Sequence, residues 1–295
     1  PLIMPMIHHH ISALRAAIQP YRAAQRIALV PTMGNLHDGH LELVNIAKQH
    51  ADIVVVSIFV NPTQFGVGED FDSYPRTLDE DVAKLATVGA DYVFAPNIGE
   101  MYPVLPPPTT VRAGAITEQL CGKTRPTHFD GVGIVVSKLF NIVQPNVAIF
   151  GQKDYQQLAI IKQLVRDLSY SIEIIGAPIV RAADGLALSS RNQYLSESER
   201  QTAPILQQEL QYLAKQIGDN QQPLDVLLGA SRQRITSAGF VIDYLDIKTA
   251  QLDSLKADGS SVNFNENQQD LVILVAAWLG RARLLDNRLV TANKV

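Results

Sequence analysis

Short apolar runs alternate with amphipathic stretches through the first half of this chain, and that alternation leaves few folds open. The runs are Ile27–Val30, Ile53–Phe59, Tyr92–Ala95 and Val147–Phe150. They are strand-length and nearly continuous in apolar character, the pattern of strands buried on both faces. Between them, Leu41–Gln49, Leu78–Val88 and Val132–Ile142 space their apolar residues as helices do. Gln156–Asp167 reads as a further helix and Ile172–Pro178 as a further strand. This order predicts an α/β fold: a Rossmann-like, doubly wound parallel sheet with helices on both faces. Met101–Pro108 is proline-rich and is expected to form a loop or an edge.

The character changes in the second half. Ser196-Glu197-Ser198-Glu199 has the hydroxyl cap and acidic first turn of a helix start. Helical patterns run through Ile217 and again from Leu224 to Ala238, and Ile242–Ile247, Leu271–Leu279 and Arg283–Leu285 read as strands. A smaller α+β C-terminal domain is expected, with domains at 1–180 and 181–295. No repeat or low-complexity tract is visible, and Pro1 to Gln25 is not distinctive.

Composition narrows the class of function. Hydrophobic residues make up 46% of 295, enough for a sizeable core. The net charge of −4 argues against a general nucleic-acid partner. No stretch is long enough to span a bilayer, and Pro1–Ile11 lacks the pattern of a secretory signal. Cys121 is the one cysteine, so an intrachain disulfide is impossible and a reducing, cytoplasmic setting is expected. His8-His9-His10 is assigned no function.

The most informative motif follows the first apolar run. Met33-Gly34-Asn35-Leu36-His37-Asp38-Gly39-His40 lies where a strand turns into a helix. In an open α/β sheet that position is a carboxyl end, where ligands bind. The helix start offers backbone N–H groups and a positive dipole end, which suit phosphate. Gly39 permits close approach, and His37 and His40 can donate to a phosphoryl oxygen. A zinc pair is the rival reading, but no further Cys/His cluster completes such a site. Lys153 follows the strand Val147–Phe150 and reads either as a point charge for phosphate or as a surface lysine. Leu188-Ser189-Ser190-Arg191-Asn192 is by itself an ordinary solvated turn.

Together, His-x-Gly-His and the later Ser-Ser-Arg run resemble the paired signatures of the nucleotidylyltransferase superfamily, with Arg191 in place of a lysine. The wording is narrower still. Pro31–His40, Ser57–Phe65, Tyr74–Thr77, Phe150–Gln157, Asp184–Asn192 and Leu274–Gly280 resemble, in order, the pantoate–β-alanine ligase family. The likeness extends from about Ile27 to Asn287. Two departures stand out: Thr63 where the family often has Met, and Gln152 where Glu is common.

The resemblance implies an ATP-dependent, AMP-forming condensation of pantoate with β-alanine through a pantoyl adenylate. It implies His40, His37 and Lys153 as catalytic residues. Its nucleotide site would comprise Met33, Gly34, Asn35, Leu36, His37, Asp38, Gly39, His40, Gly151, Gln152, Lys153, Asp154, Val180, Leu188, Ser189, Ser190 and Arg191. Gln64 and Gln157 would bind pantoate, whose hydroxyls and carboxylate suit a neutral amide. Gln64 is a candidate for β-alanine, and Asn61 and Asp154 are candidates to position its ammonium or to stabilise loops. The partners implied are ATP, pantoate and β-alanine, with a homodimer as the assembly and the second domain as a lid over the nucleotide. Magnesium is expected to arrive with ATP, held by phosphate oxygens and water. Asp81 is a candidate metal contact, although Asp79-Glu80-Asp81 also reads as an acidic first turn. Arg125 and His128 lie between elements, and their position leaves open the site or a subunit interface. Two rivals remain: an adenylyltransferase that leaves the nucleotide on its product, and a nucleotide-binding regulatory protein with a relic site.

Overall fold

The computed structural model describes residues 1–219, 222–255 and 269–291. The chain divides into two compact units, one of residues 1–152 and 156–178, the other of 153–155 and 179–295.

The larger unit is built in the order β1 (Met6–His8), α1 (Ile11–Ile18), β2 (Ile27–Thr32), α2 (Asp38–His50), β3 (Ile53–Ile58), α3 (Leu78–Thr87) and β4 (Tyr92–Phe94). It continues with α4 (Ile98–Met101), α5 (Cys121–Thr124), α6 (His128–Val143), β5 (Val147–Gly151), α7 (Tyr155–Asp167) and β6 (Glu173–Ala177). Its six strands form one sheet in the order β1-β4-β3-β2-β5-β6, and every pairing is parallel. The chain steps from β2 through β3 to β4 on one side, then returns to place β5 and β6 on the other. The strand order therefore reverses at β2, whose carboxyl end opens the crevice where such sheets bind ligands.

Apolar burial holds this sheet together. Ala28, Val30, Val54, Val56, Val147 and Ile149 pack with Val44 and Ala47 of α2 and Val82 and Leu85 of α3. Each buried aliphatic side chain contributes roughly 1.5–3 kcal/mol, more than any single helix cap. The continuous apolar runs thus became central strands, as their pattern predicts. The edge strand β1 had no such signal, because three residues cannot show a period. It is fixed instead by its ladder to β4 and by flanking contacts: His9 Nδ1 lies 2.7 Å from the Ala95 oxygen, and Glu100 accepts from Ile11 N at 2.8 Å. Met101, expected in a loop or edge, instead ends α4 and is fully buried.

The smaller unit carries α8 (Glu197–Thr202), α9 (Ile205–Asp219), α10 (Leu224–Ser237), β7 (Val241–Thr249), β8 (Leu271–Leu279) and β9 (Ala282–Val290). Its strands form an antiparallel sheet in the order β7-β8-β9. Leu206, Leu210 and Leu213 of α9 pack with Leu227 and Ile235 of α10 against Ile273, Val275 and Ala277 of β8. Helix α8 begins at Ser196, as its sequence predicts, through a capping box. Ser196 Oγ accepts from Glu199 N at 3.2 Å, and Glu199 Oε1 accepts from Ser196 N at 2.8 Å.

Candidate functional site

The turn between β2 and α2 is built by three features. Gly34 (φ +77°) and Asn35 (φ +51°) both adopt left-handed backbone, and at Gly34 any Cβ would sit 3.0 Å from Asp81 Oδ2 and from Ile58 Cγ2. Asp81 of α3 then collects the turn's backbone donors: Asn35 N to Oδ2 and Leu36 N to Oδ1, each at 2.9 Å. Thr77 Oγ1 adds a third bond at 3.2 Å. Leu36 is 2% exposed and plugs the turn into the core below.

Helix α2 starts with a capping box made of two histidines. His37 Nδ1 accepts from Gly39 N at 3.0 Å, and His40 Nδ1 accepts from His37 N at 3.1 Å. The rings lie 4.0 Å apart, centroid to centroid, tilted by 37°. Because each Nδ1 accepts, a neutral ring carries its proton on Nε2. The cap thus fixes the tautomer and makes both Nε2–H groups donors, beside the positive end of α2. That combination suits an anion accumulating charge.

Asp81 has a different task from the metal contact expected of it. It is 1% exposed and its oxygens are committed to two backbone N–H groups and a hydroxyl. No group of three or more His, Cys, Asp or Glu side chains placed to hold a metal occurs among the described residues.

The next strand, β3, leads into a short 3-10 turn, Pro62–Gln64, capped by Asn61. Asn61 is 1% exposed and its amide is engaged at both ends. Oδ1 accepts from Tyr102 Oη at 2.8 Å, Thr63 Oγ1 at 2.9 Å and Thr63 N at 3.3 Å. Nδ2 donates to Gln64 Oε1 at 2.9 Å and to the Gly131 oxygen at 3.1 Å. Both donor hydrogens of the amide are thus engaged, and its oxygen accepts from both Tyr102 and Thr63. Asn61 is the hub that orients Gln64. Gly131 lets α6 come this close, since a Cβ there would collide with the Thr63 carbonyl. Burial pushes the Tyr102 phenol pKa upward, which keeps it a donor to Asn61. Gln64 remains half-buried, with Nε2 3.5 Å from Met33 Sδ on the first turn. Gln64 and Met33 are thereby brought together.

Gln157 stands in the first turn of α7 and is half-buried. No hydrogen bond joins it to Gln64 among the described residues. Its neighbour Gln156 is the structural one: buried, accepting from Cys121 N and donating to the Ile116 and Gln119 oxygens. Gly151 ends β5, and Gln152 N continues that strand's ladder to the Ala177 oxygen at 2.8 Å.

The remaining candidates belong to the smaller unit. Lys153 and Asp154 are half-buried, and the Lys153 carbonyl accepts from Asn287 Nδ2 at 3.0 Å. Val180 and Leu188 face one another across a hairpin, Leu188 N to Val180 O at 2.9 Å. Asp286 of β9 grips that hairpin through Arg181, with bonds of 2.7 and 2.8 Å. Ser189 follows as the cap of a 3-10 turn, Ser190–Tyr194, accepting from Arg191 N at 3.2 Å. The serine-rich run is thus an ordered turn on an anchored hairpin.

Sequence reasoning missed Asp81 as the anchor of the first turn and Tyr102 altogether, and gave loop stabilisation by Asn61 only as an alternative. Asn61-Pro62-Thr63 carries a usable signal, since Asn before such a turn bonds the backbone two residues on. Nothing near Tyr102 marks it.

A parallel sheet that crowns its switch point with two histidines and a helix start defines an α/β protein suited to binding phosphate. Comparison with known proteins is more specific. The family model described as pantoate-beta-alanine ligase matches residues 6–289. Pantothenate synthetase of Psychrobacter arcticus is 88% identical over 291 residues, covering 99% of each chain. That of Acinetobacter baylyi is 54% identical, covering 94% of this chain and 95% of its own. The crystal structure of the Thermus thermophilus pantothenate synthetase superposes with a TM-score of 0.87 at 41% identity, covering 97% of this chain and 99% of that one. A pantoate-beta-alanine ligase from Francisella tularensis, complexed with beta-gamma ATP and beta-alanine, gives 0.77 at 34% identity and 97% of both chains. The chain belongs to the pantoate–β-alanine ligase family.

Proposed function

We propose that this chain joins pantoate to β-alanine in two steps on ATP, and that the paired histidines at the head of α2 serve the first. The pantoate carboxylate attacks the α-phosphorus, and the bond to the bridging oxygen breaks to release pyrophosphate. The β-alanine amine then attacks the acyl carbon of the pantoyl adenylate, loses a proton, and expels AMP. The first step converts a carboxylate oxygen, a poor leaving group, into part of AMP, a good one.

The single observation that carries this reading is the histidine capping box. It leaves the proton of each neutral ring on Nε2, beside a helix start, before any charge grows on the α-phosphate. His40 is assigned to the developing charge and His37 to the adjoining phosphate oxygens. Asn35, Leu36, Asp38 and Gly39 shape the backbone that meets the nucleotide, and Met33 and Gly34 lie against it. Gly151, Gln152, Val180 and Leu188 are assigned to the nucleotide. Lys153, Ser189, Ser190 and Arg191 are assigned to its phosphate oxygens. Gln64 and Gln157 are assigned to pantoate, and Gln64 and Asp154 to β-alanine. Asn61 holds the Gln64 amide and is assigned with it to β-alanine.

Magnesium belongs here as the counter-ion of ATP, carried by phosphate oxygens and water. The described residues include no group of three or more His, Cys, Asp or Glu side chains that could hold it. The family resemblance supports a homodimer, to be weighed by light scattering. The lone, buried Cys121 supports a reducing, cytoplasmic setting.

Pantoate labelled with oxygen-18 in its carboxylate tests the route. The reading expects continued turnover to pantothenate, pyrophosphate and AMP carrying one labelled oxygen only when β-alanine is supplied, and at most one pyrophosphate per enzyme without it. ADP with labelled inorganic phosphate would overturn it, since that places the attack at the γ-phosphorus.

A further inference from the structure

A line of polar side chains holds the Gln64 loop, and the chemistry above does not use it. His128, the first residue of α6, places Nδ1 2.8 Å from the Gln64 main-chain oxygen. A carbonyl only accepts, so Nδ1 carries the proton. Nε2 of the same ring lies 3.4 Å from Arg125 Nη1, and a guanidinium only donates, so Nε2 accepts. Arg125 is itself gripped by Glu69, Nε to Oε1 at 2.9 Å and Nη2 to Oε2 at 2.5 Å. The Arg125 and Glu69 side chains are only 20% and 25% exposed, so water screens the pair weakly.

Two staples therefore leave the 125–128 segment, one to each end of the Gln64–Glu69 loop. The loop needs them. Val67 at its tip is fully exposed, Gly66 and Gly68 flank it, and none of the three is buried. The bonds inside the Pro62–Gln64 turn are long: Gln64 N to Asn61 O at 3.4 Å and Phe65 N to Pro62 O at 3.3 Å. The 2.8 Å bond from His128 is shorter than either, so it does more to fix the Gln64 backbone. A shifted backbone would also break the 2.9 Å bond by which Asn61 orients the Gln64 amide.

We propose that Glu69, Arg125 and His128 are positioning residues that aim the Gln64 side chain and thereby set the affinity for pantoate. They do so without touching the reacting atoms. This inference rests on Gln64 contacting pantoate, as read above.

The test is steady-state kinetics with pantoate and ATP varied separately. His128→Ala is expected to raise the KM for pantoate about tenfold, the loss of one well-made hydrogen bond, and the KM for ATP less than about twofold. His128→Asn places an amide N–H where Nδ1–H stands and is expected to restore the KM to within about threefold of wild type. His128→Gln reaches toward the Nε2 position and restores nothing. In a Gln64→Ala background, His128→Ala should add less than about twofold, because the relay acts through the missing side chain. A Gln64→Ala enzyme with unchanged pantoate KM would overturn the Gln64 reading, and this inference with it. A raised KM there, with full additivity in the double variant or equal effects of Asn and Gln at 128, would overturn the relay alone. Should His128→Ala unfold, Glu69→Gln replaces it: same shape, no charge, and an expected pantoate KM rise of about threefold. No rise in folded Glu69→Gln would then sink the relay.

Discussion

Two neighbouring turns of the larger unit, one after β2 and one after β3, are fixed by opposite means. The first hangs on a charge: the buried Asp81 carboxylate draws in Asn35 N and Leu36 N. The second hangs on a neutral amide: Asn61 gathers Tyr102, Thr63, Gln64 and Gly131 without any ion. The difference follows what each turn must present. On the reading proposed above, the first turn meets a phosphate, and Asp81 holds its backbone donors rigid beside the histidine-capped helix start. On the same reading, the second turn meets a hydroxy acid through the Gln64 amide, which a neutral hub holds at one angle.

The comparison breaks most readily at His40. His40→Ala removes the donor assigned above to the developing charge and is expected to lower kcat/KM by about 10²–10³-fold. It also removes half of the capping box, at a cost of about 1 kcal/mol. Pyrophosphate release measured beside urea unfolding separates the two effects. A variant that unfolds easily yet keeps its specific activity would make His40 a cap and nothing more.

Exchanging the two anchoring chemistries comes next. Asp81→Asn turns one acceptor into a donor facing backbone N–H, and is expected to cost about 3 kcal/mol in a urea titration. Asn61→Asp is the converse. It replaces the Nδ2 donor with a charged oxygen beside Gln64 Oε1 and the Gly131 carbonyl, and is expected to cost about 2 kcal/mol. Near-zero costs at both positions would mean the turns are held by their packing alone. A cost at position 81 only would mean that charge, and not hydrogen-bond direction, matters.

The same contrast explains what the sequence revealed. The β2 strand, His37-x-Gly39-His40 and the start of α2 are contiguous, so period and motif exposed them together. Five of the six parallel strands were legible because buried runs such as Ile53–Ile58 carry a strong one-dimensional signal, while the three-residue edge strand β1 was not. Asp81 lies 45 residues from Leu36, Tyr102 lies 41 from Asn61, and His128 lies 64 from Gln64. Contacts at such separations are set by strand order and helix packing, and leave no mark in local spacing. The acidic first turn of α3 even misdirects, since Asp79, Glu80 and Asp81 look equivalent until burial singles out one. Gln157 and Gln156 show the same ambiguity, with the buried amide serving structure.

The smallest effect expected concerns the Glu69–Arg125 ion pair that supports the second turn from outside. Burial alone would raise the Glu69 carboxyl pKa, but the hydrogen bonds and charge of Arg125 outweigh it and hold the group below the ordinary value of 4.5. A carboxyl lowered by folding adds stability above its unfolded value and loses it as pH falls through the folded one. Wild type should therefore exceed Glu69→Gln by about 1 kcal/mol at pH 7, and that margin should shrink below pH 4.5 until it vanishes. Urea midpoints for both proteins from pH 7 downward read this directly. A margin that stayed constant with pH would assign the difference to shape and remove charge from the second turn's support. A margin that closes in the acid range would show that this turn, neutral at its hub, still depends on an ion pair at its rim.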